Sequence, residues 1–248
     1  MGDFLSYFLG HLPQVWSGLG VTVAATALGA AVALVLAFVL GFMAHGGPVL
    51  VRGVSRVFVE FFRGTSLYVQ LFWLYYALPL VTGYELSPLF CGVVAFGMNF
   101  GAYGSEVVRG ALNAVPKAQW EAAVALNMTP VTRMRRVILP QAWPQMIPPF
   151  TNQLIQLLKC TPLLWLISAA DLTTVVQQMR DRTGESTAAY LTLLVIYFVL
   201  AYALTLVMNA LERHAQARLG RRAAAGGLLR FRSAAGVEKT GLTAGGVR

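Results

Sequence analysis

Charge is what this sequence has least of. Only 12% of its 248 residues are Asp, Glu, Lys or Arg, while 57% are hydrophobic, against about 25% charged in a usual soluble domain. That balance excludes a water-soluble globular domain and asks for a protein solvated by lipid. Acidic residues number 10 and histidines 3. His11, His45 and His214 lie in separate flanks and form no H-E-x-x-H pair, and acids such as Asp3 and Glu238 stand alone. Neither a metal centre nor an enzymatic acid–base pair is expected from them. The phosphate-cradling pattern G-x-x-x-x-G-K-[ST] is absent, which removes the usual loop for binding ATP. Cys91 and Cys160 sit inside apolar runs, where a thiol behaves as a small hydrophobe, so no disulfide, metal or other cofactor is expected. No cationic stretch precedes the first apolar block, and a cleaved signal peptide is not expected.

What the chain does have is long apolar blocks. They predict an all-α integral membrane bundle of about five spans, at residues 16–43, 57–80, 88–112, 143–167 and 188–211. Residues 1–212 form the membrane domain on this reading, and 213–248 a basic cytoplasmic tail expected to be disordered. The net charge is +9, with eight of the 19 Lys and Arg after Met208. In a soluble protein such a tail would suggest nucleic acid, but the positive-inside rule accounts for it with no such partner. Five alternating spans place residues 44–56, 109–142 and 213–248 on one side. Those segments hold every Lys and Arg except Arg63, Lys159, Arg180 and Arg182. That side is expected to be cytoplasmic, with the N-terminus, residues 81–87 and a polar loop at 171–187 outside.

Within the spans the polar residues are few. Glu60 and Arg63, three apart, are expected to pair and hold a membrane-surface elbow, with a gate element as the alternative. Gly97 and Gly101 form a small-xxx-small pair expected to let another helix pack closely. Asn99 stands near the middle of the third span. Asn152, Gln156 and Lys159 follow the i, i+4, i+7 rhythm of one helical face, with Thr151 and Gln153 beside it. A lysine there costs about 2.5–3.5 kcal/mol on insertion scales, so the row is expected to face a wet path. The alternative is glue to a carbonyl or acid of a neighbouring span.

Between the third and fourth spans lies a polar island, residues 113–140. Pro116 suits a helix's first turn, and Gln119 to Leu126 has high helix propensity. Asn127 stands where a left-handed residue ends a helix. Thr129-Pro130 then reads as an N-cap and first-turn pair, opening a second helix that is expected to stop before Pro140. The result is a helix–turn–helix elbow.

Glu121-Ala122-Ala123, a turn residue four positions on and Ile138-Leu139-Pro140 resemble the EAA loop of ABC-importer permease subunits, although the family usually has Gly where Asn127 stands. Tyr103 to Arg109, Val115 to Gln119 and Val137 to Ala142 extend the likeness to the polar amino-acid permeases. The resemblance runs from about residue 15 to 212. It implies a type I permease fold in a bacterial cytoplasmic (inner) membrane. It implies as partners a cytoplasmic ABC ATPase dimer, which hydrolyses the ATP, a second permease subunit, homo- or heterodimeric, and an extracytoplasmic solute-binding protein. Glu121, Ala122, Ala123 and Asn127 would couple to the ATPase, and Asn99, Asn152, Gln156 and Lys159 would line the path. The solute would be a small zwitterion, either an amino acid such as glutamine, histidine or arginine, or ectoine or hydroxyectoine. The last pair is suggested by Ala125 to Met128, Met134 to Arg136 and Met146 to Pro149. A channel or ion-coupled transporter is the alternative class, though such folds more often carry inverted repeats that this chain lacks.

Overall fold

The computed structural model describes residues 2–218, and side chains from Phe4 to Arg213. Every regular element among them is helical. A short helix α1 (Gly2–Gly10) leads into α2 (Leu12–Gly46), with Pro13 in the first turn where its missing N–H costs nothing. The first span is therefore longer than residues 16–43. Gly47 and Pro48 turn the chain into α3 (Val49–Gly64). The Ser55 hydroxyl donates to the Leu40 carbonyl at 3.0 Å, which lays α3 antiparallel along α2.

The expected span at 57–80 is not one helix. It breaks at Thr65-Ser66 and resumes as the apolar helix α4 (Leu67–Thr82). Gly, Thr and Ser are poor residues for a helix interior, and their side chains favour ends. A break in an apolar helix frees carbonyls that something else must satisfy. Here side chains do so. Thr65 donates to the Phe61 carbonyl at 2.8 Å, Gln70 and Asn99 donate to Phe62 at 2.9 and 3.0 Å, and the Tyr103 hydroxyl donates to Arg63 at 3.3 Å. The expected Glu60–Arg63 ion pair is not made. The Arg63 guanidinium instead lies 5.3 Å from the centre of the Tyr103 ring.

Helix α5 (Pro88–Asn113) is the centre of the bundle, packed on α2, α3, α4 and the helix after the elbow. Its glycines admit α2. A Cβ at Gly97 would meet the Val32 side chain, one at Gly101 would stand 2.8 Å from Leu36 Cβ, and one at Gly104 2.7 Å from Ala37 Cβ. The partners advance together along both helices, so α2 and α5 run parallel. α5 stays unbroken, and these glycines serve packing.

The elbow follows as α6 (Lys117–Ala125) and then α7, which runs from Pro130 to Ile167. Pro140 does not end the second arm. A π turn at Met134–Ile138 precedes Leu139-Pro140, and its closing bond runs from Leu139 N–H to the Met134 carbonyl. The same device, Trp73–Ala77 closed by Leu78 N–H on Trp73, precedes Leu78-Pro79 in α4. Widening the turn by one residue moves aside the carbonyl that a proline ring would strike. The elbow's second arm and the expected fourth span are thus a single helix, tightening to a 3-10 turn at Thr161–Ile167.

Residues 171–187 are not simply a loop. They contain α8 (Leu172–Thr183), which bends 52° from α7. Asp171 caps it while fully buried, accepting from Thr173 N and Thr174 N at 3.1 Å each. Gly184, at φ 72°, turns the chain into α9 (Ser186–Arg218). The expected tail thus begins inside a helix, and its remainder lies outside the described residues. By length and apolarity alone α2 and α9 qualify as spans, with the bent α7–α8 pair as a third. Val35, Leu194 and Phe198 are exposed along α2 and α9, as the apolar outer surface of a span requires.

Candidate functional site

The elbow owes its shape to backbone bonds at Asn127. Met128 N–H reaches back to the Ala123 carbonyl at 3.1 Å and Asn127 N–H to Val124 at 2.9 Å, with Asn127 at φ 52°. That double closure is a Schellman ending, and its left-handed residue is the expected one. Thr129 then caps α7, accepting from Thr132 N–H at 3.3 Å. Ala123 is buried, whereas Glu121, Ala122 and Asn127 are exposed. Val124, Leu126 and Val131 are also exposed, at 54%, 73% and 76%, so the outer side of the elbow is an apolar knob with one carboxylate on it.

Beneath it the elbow is fastened. The Trp120 ring lies 5.2 Å from the His45 ring and 5.7 Å from the Arg133 guanidinium, and Gln141 donates to Gln119 at 3.2 Å. Leu112, Val115, Ile138, Ala142 and Met146 form the core under it. A push on α6 is therefore passed to α7.

Along α7 the row expected from the sequence is present on one face, and it is longer than expected. Gln141, Gln145, Asn152, Gln156 and Lys159 are all exposed. Asn152, Gln156 and Lys159 make no hydrogen bond or ion pair with any described residue. The expected alternative of glue within this chain is thus not made. The i, i+4 step from Gln141 to Gln145 was a signal available in the sequence; Pro148 and Pro149 interrupt it. Asn99 stands apart from the row. It is buried, and its amide donates to the Phe62 carbonyl and, at 3.2 Å, to Gln70. A cavity of about 280 Å³ borders α7 elsewhere, lined by Leu34, Phe100, Phe150, Leu154 and Met208. Thr151 and Gln153, expected beside the row, also line it, but it contains none of Asn152, Gln156 and Lys159, and its mostly apolar wall offers little to a zwitterion.

An elbow that joins two long apolar helices, with one of them carrying an exposed polar face whose Asn152, Gln156 and Lys159 have no partner among the described residues, is a transport architecture. Residues 33–217 match the family described as binding-protein-dependent transport system inner membrane component. The chain belongs to this family. It is a multi-pass permease subunit of an ABC importer in the inner membrane. Among its relatives, a probable amino-acid ABC transporter permease protein of Sinorhizobium fredii (y4tF) is 41% identical, over 82% of this chain and 87% of that one. The L-cystine transport system permease protein TcyB of Bacillus subtilis is 35% identical, over 81% and 86%. A crystal structure of an amino acid ABC transporter with histidines superposes with a TM-score of 0.78 at 31% identity, covering 86% of the permease and 98% of that chain.

Proposed function

We propose that the permease carries an amino acid along the polar face of α7, driven by an ATPase dimer that seats on the Glu121–Asn127 elbow. The observation that carries this reading is the continuity of α7. One helix begins in the elbow at Pro130 and ends beyond Lys159, so motion passed from α6 through the Trp120–Arg133 and Gln119–Gln141 contacts reaches the polar row along a single helix. In a bilayer that row cannot face hydrocarbon, since a mid-span lysine alone costs about 2.5–3.5 kcal/mol. A second permease subunit, its own copy or a homologue, covers the face and encloses a wet path between the two. Five spans, an outside N-terminus and a cytoplasmic C-terminus complete the arrangement. A solute-binding protein delivers the solute from outside, and ATP shifts the path between outward- and inward-open states by binding one of them better.

Lys159 is the cation that meets the solute carboxylate on this path. The test is uptake into proteoliposomes holding the permease, its ATPase and its solute-binding protein, with L-glutamine, L-histidine, L-arginine and ectoine as probes. ATP-dependent uptake of one of the amino acids is expected. Lys159→Met should lower it at least tenfold with complex yield unchanged, because Met keeps the length and removes the charge. Uptake of ectoine alone would move the solute class. Normal uptake in Lys159→Met would leave this lysine a bystander whose chain reaches to the interface.

A further inference from the structure

One cation at the break between α3 and α4 makes no salt bridge or side-chain hydrogen bond with any described residue. Arg63 closes α3 with its guanidinium over the Tyr103 ring, and its Nε is buried without a hydrogen-bond partner. Tyr103 also donates its hydroxyl to the Arg63 carbonyl, so a single ring holds both the backbone and the charge. Two carboxylates could have neutralised it. Glu60 makes no ion pair with any described residue, and Glu106, though within electrostatic reach of Arg63, is hydrogen-bonded to Arg109, whose Nε donates to both carboxylate oxygens at 3.2 and 3.0 Å.

The position of that charge is what makes it informative. Tyr103 is ten residues before Asn113, which puts Arg63 about 15 Å inside the cytoplasmic end of α5 at the usual rise. Successive residues of a helix point about 100° apart. Ala102 packs with Val59 of α3, and Gly104 lies against Phe150 and Gln153 of α7. Tyr103, between them, looks out through the gap between α3 and α7, and it is 41% exposed. Arg63 thus borders the side of the bundle that opens between the break and α7. Lys159 lies further out, beyond Leu157, which shares the level of Gly29 and Phe96. Arg63, Arg56 and Arg109 share the one carboxylate of Glu106, and a cation so incompletely neutralised at membrane depth is costly unless it meets water or an anion.

We infer that Arg63 is a specificity-determining residue of the permease, receiving the solute carboxylate on the inner half of the path after Lys159 has met it on the outer half. The planar guanidinium suits a carboxylate better than an ammonium does, because it offers two parallel N–H donors. Tyr103 is the positioning residue that holds it. The inference rests on the transport reading above.

The test uses the assembled permease–ATPase complex, purified without solute-binding protein. Equilibrium binding of L-histidine, L-glutamine and L-arginine is measured against their α-carboxamides. The wild-type complex should prefer at least one free acid over its amide by tenfold or more. Arg63→Met, recovered in normal yield, should lose that preference, and Arg63→Lys should keep part of it. An unchanged preference in Arg63→Met overturns the inference. Loss of the complex in Arg63→Met, Arg63→Gln and Arg63→Lys alike also overturns it, and makes the residue a structural plug of the break. If the wild type drives ATP-dependent uptake yet treats acid and amide equally, the inference fails and the transport reading stands. A wild type that drives no uptake of any probe sinks both.

Discussion

At Asn127 a single residue settles the shape of the elbow. Its φ of 52° belongs to the region that Gly enters freely and most side chains avoid. Asn127→Gly should therefore leave uptake unchanged. Asn127→Val places a β-branched side chain there and should cost about 1–2 kcal/mol, read as a lower melting temperature of the purified complex. Glu121 makes the complementary case. It is exposed and holds no other described residue, so its substitution should not disturb folding. Glu121→Lys should abolish ATP-driven uptake, and more completely than Glu121→Gln, because on the proposed docking a cation replaces an acceptor that would face the ATPase. The subunit should still insert. Undiminished uptake in Glu121→Lys would mean that the ATPase docks elsewhere.

At the scale of elements, the break between α3 and α4 stands on side chains contributed from a third helix. Asn99 donates to the Phe62 carbonyl and to Gln70, and Gln70 donates to the Thr65 hydroxyl at 2.7 Å. Asn99→Leu keeps the volume but removes both donations. It should destabilise the permease by about 1–3 kcal/mol, the usual cost of leaving a buried acceptor short of a partner. Thermal unfolding in detergent measures this directly. A permease of unchanged stability that no longer transports would instead assign Asn99 to the path itself. The two π turns are the other device at this scale. They let Leu-Pro sequences stay inside helices, and one of them keeps α7 continuous.

For the whole molecule, the arrangement of basic residues and the run of helices together define a testable topology. A reporter active only in the cytoplasm should work when fused after Arg213 and be silent at Gly184. Gly184 is a suitable fusion point because it is an exposed turn between α8 and α9. The reverse pattern would invert every loop. Much of the plan was legible beforehand because its causes are local. Few charges and long apolar blocks imply a bilayer, Asn127 implies a left-handed ending, and Thr129-Pro130 implies a helix start. Each follows from a residue and its immediate neighbours. What tertiary structure alone decided has non-local causes. Pro140 stays within a helix because a π turn relieves its clash, and 57–80 breaks in two because Asn99 and Tyr103, some 40 residues on, supply donors to the freed carbonyls. Arg63 turned from Glu60 to a ring on α5 that no spacing rule could place beside it. Local chemistry chose the segments, but the pairing of polar groups inside a medium without water depends on which helices meet.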